Sequence, residues 1–265
     1  MPVALIIAGS GPTDRNGNNP MAKNASLELL SDALSNAGIA TLRYDKRGIV
    51  ASAAAMKSES ELRFDDYVQD AAGWVKLLKS DKRFSKVYVI GHSEGSLIGM
   101  LASKTAAGFI SIAGAGFPAQ EILKKQLNTL PENLKTQSFS LIDSLSAGFT
   151  VSSAPLTLYS LFRPSVQPYM ISWFKYNPRQ LIKSLTAPVL LLQGTNDLQV
   201  TVEDARALKE AKPEAKLVLI ENMNHVLRIV EGDRNANLKT YSNASLPLAP
   251  QLSESIIQFI KKGKK

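Results

Sequence analysis

Five consecutive residues, Gly91-His92-Ser93-Glu94-Gly95, carry the residue types of a nucleophile site. The apolar, β-branched run at residues 87–90 predicts a buried strand, and the small-residue stretch at 96–102 predicts a helix, with no room for a loop between them. The Gly-x-Ser-x-Gly stretch must itself be the turn. A strand that reverses into a helix this quickly crowds the positions two before and two after its apex, where a Cβ would collide, so Gly91 and Gly95 fit. Ser93 is then expected in a strained backbone conformation with its hydroxyl at a helix N-terminus, where backbone N–H groups can meet developing negative charge. A hydroxyl becomes a nucleophile only beside a base. The chain has two histidines. His92 lies inside the turn and is expected to project away from the hydroxyl, which leaves His225 as the base, a residue type whose free pKa of about 6.5 suits proton removal near neutrality. An imidazole used this way needs a carboxylate to orient it. Asp197 is the leading candidate, although a turn or cap aspartate before Thr201 would read the same way; Asp204, inside the next helix, and Asp233, after the base, are weaker.

These residues need elements to hold them. Residues 3–8 form an apolar run that ends in Gly9-Ser10-Gly11-Pro12, a buried strand leading into a tight loop. A helix is predicted from about 21 to 36 with Leu27, Leu30, Ala33 and Leu34 on one face, then a short strand at 39–43. Residues 50–61 read as a surface loop or weak helix, and residues 65–79 as a helix packed through Val68, Ala71, Ala72, Val75 and Leu78. After the turn at Ser93 come a strand at 108–113, a strand at 188–193, a Thr201-capped helix to about 211, a strand at 216–220 and a final helix at 252–261. Alternation of strand and helix predicts a doubly wound α/β core. Residues 117–182 break that rhythm. They are helical in period, interrupted by Pro131, Pro155, Pro164, Pro168 and Pro178, and rich in aromatics (Tyr159, Phe162, Tyr169, Trp173, Phe174, Tyr176), which predicts a helical cap whose aromatics mostly seal it to the sheet.

Composition narrows the function further. At 265 residues with 45% apolar residues, the chain is long enough for one large α/β domain with an insertion. No apolar run of about 18 residues predicts a membrane span. The absence of cysteine excludes disulfides, thiolate metal ligands and a Cys nucleophile, and leaves the compartment open. A net charge of +8 is spread along the chain without interleaved aromatics, so a solvated basic surface is expected and not a nucleic-acid partner.

The segments at 9–15, 43–48, 91–95, 194–200 and Asn224-His225 together resemble the bacterial α/β-hydrolase esterases related to the serine aminopeptidase and acyl-hydrolase branch. The chain departs from that pattern in two places: Ala8 stands where histidine is usual, and the stretch after Arg47-Gly48 lacks a common second glycine. The resemblance implies an α/β-hydrolase fold: a mostly parallel sheet with helices on both faces and an inserted helical cap at 117–182, between core segments 1–116 and 183–265. It also implies that the first strands of the parent fold are absent, residues 3–8 being an internal strand of a larger sheet, with a possible additional domain upstream of residue 1. The order Ser…Asp…His that it carries selects Ser93, Asp197 and His225 as the triad. The oxyanion donors would be the backbone N–H groups of Glu94 and Ser10, with Gly11 as the fallback, and the Glu94 side chain is assigned no chemistry. Asp14, Arg15, Asp45 and Arg47 are expected to pair and brace the oxyanion loop. The implied activity is hydrolysis of short to medium acyl esters, small-molecule substrates, through a Ser93 acyl-enzyme without metal or organic cofactor. An aminopeptidase or amide hydrolase would use the same triad and would want an acidic cluster in the cap, where Glu121, Glu132 and Asp143 stand; a catalytically silent binding module is the remaining alternative.

Overall fold

In the computed structural model, which describes residues 1–263, six strands form one sheet: β1 (Val3–Ile7), β2 (Ala40–Arg43), β3 (Val87–His92), β4 (Gly108–Ile112), β5 (Val189–Gly194) and β6 (Lys216–Ile220). Their spatial order is β2-β1-β3-β4-β5-β6, and every pairing is parallel. The helices are α1 (Ser26–Asn36), α2 (Phe64–Ser80), α3 (Glu94–Ala102), α4 (Ala119–Leu127), α5 (Glu132–Ser146), α6 (Tyr159–Phe162), α7 (Gln167–Phe174), α8 (Pro178–Ser184), α9 (Val202–Ala211), α10 (Arg234–Lys239) and α11 (Pro250–Lys262). None is long and apolar enough to cross a membrane.

The pleat of β1 explains how both faces are filled. Successive side chains of a strand point to opposite faces. Val3, Leu5 and Ile7 join Ala71, Val75 and Leu78 of α2, Leu97 and Ile98 of α3, and Leu208 of α9. Ala4 and Ile6 join Leu27, Leu30 and Leu34 of α1 with Leu252, Ile256 and Ile260 of α11 on the other. A strand buried on both sides has no polar face, which is why β1, β3 and β5 read as continuous apolar runs. The expected internal strand at residues 3–8 has neighbours on both sides, β2 and β3; the open edges of this sheet belong to β2 and β6.

Chain order reverses direction across the sheet between β1 and β3, and the carboxyl ends of two strands that diverge this way leave a crevice where ligands settle. The loop after β1 and the turn after β3 both open into it. One expectation needs correction. The first helix starts at Ser26 and not near residue 21, because the Asn18 and Asn24 side chains accept from the N–H groups of Ala25 (2.8 Å) and Ser26 (3.0 Å), holding the segment in local turns with Ala25 at φ 53°. Between β4 and β5 the last helix, α8, packs through buried Ile182 among the core residues beside α3 and α9. The other helices of the insertion, α4 to α7, build a small core of their own around Ile142, Leu145, Phe162 and Met170.

Candidate active site

Ser93 sits between β3 and α3 with φ 55° and ψ −122°, a conformation that L-residues rarely adopt. The flanking glycines are there for space: a Cβ on Gly91 would lie 2.1 Å from the Gly95 carbonyl oxygen, and one on Gly95 would lie 2.4 Å from that of Ile7. Ladder and helix bonds hold the turn from both sides, since Ser93 N–H donates to Ile112 O and Ser96 N–H to Ser93 O, each at 2.9 Å. Ser93 lines a cavity of about 780 Å³ together with Ser10, Gly11, Glu94 and a largely apolar wall that includes Leu97, Ile122, Met170 and Trp173.

The loops after β5 and β6 bring Asp197 and His225 together. His225 Nδ1–H donates to Asp197 Oδ2 at 2.8 Å, so Nε2 keeps the free lone pair that a base requires. The other oxygen of Asp197 accepts from the N–H groups of Gln199 (2.8 Å) and Val200 (3.0 Å), so the turn role and the imidazole-orienting geometry coexist in one carboxylate. Burial pushes the Asp197 carboxyl up, but the neighbouring imidazole and the two N–H donors outweigh it and hold it below its ordinary range. The competing aspartates are occupied elsewhere. Asp204 closes a capping box with Thr201 (3.0 Å) and accepts from Gly116 N–H (3.0 Å); Asp233 caps α10 through Ala236 N–H (2.9 Å). Among the described residues Ser93 Oγ makes no hydrogen bond.

His92, Ser93's neighbour, turns away from the hydroxyl as its position requires, and it holds the loop that carries His225. Its Nε2–H donates to the His225 carbonyl at 2.9 Å, and the two imidazole rings lie 4.8 Å apart. Burial, reinforced by His225, pushes the His92 imidazole down to about 3, so it stays neutral. An amide network then ties the loops carrying Asp197 and His225 to each other. Buried Asn224 donates to Asn237 Oδ1 (3.0 Å) and Thr240 Oγ1 (2.7 Å), and Asn237 donates to Asn196 O (2.7 Å). The polar stretch at 232–250 therefore supplies a pin between the loops, which its composition did not indicate.

The charged residues near the loop after β1 divide their work. Arg15 grips Asp45 through both its side chain (2.7 Å) and its backbone N–H (2.8 Å), whereas Asp14 accepts from Asn16 and Asn18 N–H within its own turn. Arg47 departs from the expected brace: it pairs with Asp70 (2.6 Å) and Asp66 (3.6 Å) on α2. Glu94 departs further. Its side chain is buried, accepts from Tyr169 Oη of α7, and stands 3.8 Å from Lys46 Nζ. Among the described residues no three His, Cys, Asp or Glu side chains are grouped as a metal site.

A parallel sheet with a strained serine turn at the carboxyl end of its β3, and with Asp197 and His225 on loops after later strands, gives the chain the α/β-hydrolase fold. The family model described as serine aminopeptidase, S33, matches residues 24–146. Over 248 residues the chain is 29% identical to esterase EstD of Thermotoga maritima, a match covering 87% of this chain; the chain spans about half that esterase's length, 56%. Among solved structures, Est1E from Butyrivibrio proteoclasticus with bound ferulic acid superposes with TM-score 0.63 at 17% identity, covering 100% of this chain and 90% of that one. A thermophilic esterase from Thermogutta terrifontis follows at TM-score 0.59 and 14% identity, covering 100% and 91%. A bromoperoxidase from Bacillus anthracis gives 0.56 at 18%, covering 98% and 91%. At these identities the structural likeness is one of fold.

Proposed function

We propose that the chain hydrolyses carboxylic esters with short to medium acyl groups through a Ser93 acyl-enzyme. The observation that carries this reading is the 2.8 Å His225–Asp197 hydrogen bond in loops that reach the strained Ser93 turn. In the first step Ser93 Oγ bonds to the ester carbonyl carbon while its proton passes to His225 Nε2, and the carbonyl π pair becomes an oxyanion facing the N–H groups of Ser10 and Glu94. The pair then re-forms the carbonyl as the ester C–O bond breaks, and the His225 imidazolium gives its proton to the departing alkoxide. Water repeats both steps on the acyl-enzyme and releases the acid. Asp197 stays ionised throughout and stabilises the imidazolium.

The family description over residues 24–146 favours a second reading, an aminopeptidase on the same machinery. Holding a substrate α-ammonium needs an uncommitted carboxylate in the cavity. Glu59 and Glu94 line it, and both are engaged, Glu59 by Arg163 and Ser165 and Glu94 by Tyr169 and Lys46. Glu121, Glu132 and Asp143 are exposed and outside the lining. The ester reading is therefore the better supported. Parallel assays on aryl butyrates and aminoacyl anilides, with intact-mass detection of a Ser93-linked butyryl group, test it; anilide turnover above ester turnover would transfer the assignment to the peptidase.

A further inference from the structure

Lys46 is 1% exposed, and its only hydrogen bond among the described residues goes to a backbone carbonyl, that of Gly9, at 2.5 Å. The carboxylate that balances its charge, Glu94, is farther away at 3.8 Å, and the ammonium also lies over the Tyr67 ring, 4.9 Å from its centroid. A lysine buried merely to neutralise a carboxylate would point at the carboxylate; this one points at the loop after β1.

We propose that Lys46 is a positioning residue of the oxyanion hole, its buried ammonium gripping the Gly9 carbonyl so that the Gly9–Ser10 peptide aims and polarises the Ser10 N–H. The inference rests on the reading of Ser10 N–H as an oxyanion donor given above. Its physical basis is the peptide unit itself. Carbonyl and N–H of one trans peptide lie in a plane and point in opposite directions, so fixing the oxygen on the protein side fixes the hydrogen on the cavity side. A cation on the oxygen also draws electron density through the amide, which makes its N–H a stronger donor, and chains of such bonds strengthen one another in a low-dielectric interior. The loop has little slack in which to aim otherwise: a Cβ on Gly9 would lie 3.2 Å from that of Ser93, so the backbone already rests against the turn. Neighbouring residues secure the same stretch, with Asp45 holding Arg15 on the far side of the loop. Burial pushes the Lys46 ammonium below its ordinary range and Glu94 offsets part of that, so the carboxylate's part is to favour the charged form in a dry site.

The test uses Lys46→Met in the whole chain, together with Glu94→Gln and the double variant, which buries no unpaired charge if the single one folds poorly. Two readouts are taken: kcat and KM on aryl butyrate, and the rate at which a fluorophosphonate labels Ser93, which also builds negative charge on an oxygen in the hole. Lys46→Met is expected to lower kcat and labelling rate by about 10²-fold, the size of a lost oxyanion donor, with KM within about twofold. The double variant is expected to stay equally far below Glu94→Gln. Recovery of turnover in the double variant, or a loss confined to KM, would mean that Lys46 only balances Glu94 and would overturn the proposal. Ester turnover absent from the unaltered chain sinks the ester reading alone, because the labelling comparison still decides the role of Lys46.

Discussion

The two oxygens of Asp197 have separate duties, Oδ2 orienting His225 and Oδ1 tying the turn at Gln199 and Val200. Replacing Asp197 by Asn keeps an acceptor for the turn but offers the imidazole no full charge, so the fold is expected to survive while kcat falls by about 10⁴. Near-native turnover in steady-state assays, with unchanged circular dichroism, would remove Asp197 from the acid's role. His92 governs a different observable. Its imidazole titrates at about 3 when folded against about 6.5 when unfolded, so between those values the unfolded chain binds the extra proton and stability falls as pH is lowered. Asp197, held low when folded, acts in the same direction, its contribution being present above the ordinary carboxylate pKa and lost in acid. His92→Gln can still donate to the His225 carbonyl without titrating. Denaturant unfolding between pH 6 and 4 should then show a slope shallower by up to about 1.4 kcal/mol per pH unit. An unchanged slope would show that the proton is taken up elsewhere.

Glycine substitutions separate the turn from the helices around it. Gly95→Ala drives a Cβ to within 2.4 Å and 2.6 Å of the Ile7 and Ala8 carbonyl oxygens, so β1 and the loop carrying Ser10 must shift. A loss of about 1–3 kcal/mol and of most activity is expected. Gly73→Ala in α2 meets nothing within 4 Å and should instead stabilise by about 0.5–1 kcal/mol, which thermal unfolding of the two variants would compare directly. The strands and the turn were legible because they obey local rules: continuous apolar runs for strands buried on both faces, and paired glycines about a serine. Less legible was whatever depends on side-chain bonds without a period or on contacts distant in sequence. The start of α1 is decided by Asn18 and Asn24, residues whose side-chain bonds leave no periodic signal. The roles of Lys46, the Glu94 carboxylate and Asn237 rest on partners 37, 75 and 41 positions away. The sequence pattern ranked Asp197, Asp204 and Asp233 by chain order; in the structure Asp197 holds His225, Asp204 holds Thr201 and Asp233 holds Ala236.

The insertion meets the core through aromatic packing and a few polar contacts. Trp173 stacks on Phe64 at 6.2 Å and 11°, Tyr176 Oη donates to Asp65, and Phe64 N–H donates to Ser172 Oγ at 2.7 Å. Phe162, by contrast, is buried within the insertion's own core, so the aromatics read alike in sequence but divide between sealing and internal packing. Because Trp173 also lines the cavity, Trp173→Ala should shift the preferred acyl chain to longer esters, and an unchanged chain-length profile from C2 to C12 would make it a packing residue alone. Three adjacent residues reach in three different directions: His92 to the carbonyl of His225, Ser93 into the cavity, and Glu94 to both Lys46 and Tyr169. Drift at positions 46, 94 and 169 is therefore expected to be concerted, so that in a library randomised at all three, the survivors of selection should be enriched in charge-balanced combinations while single replacements at 94 are purged.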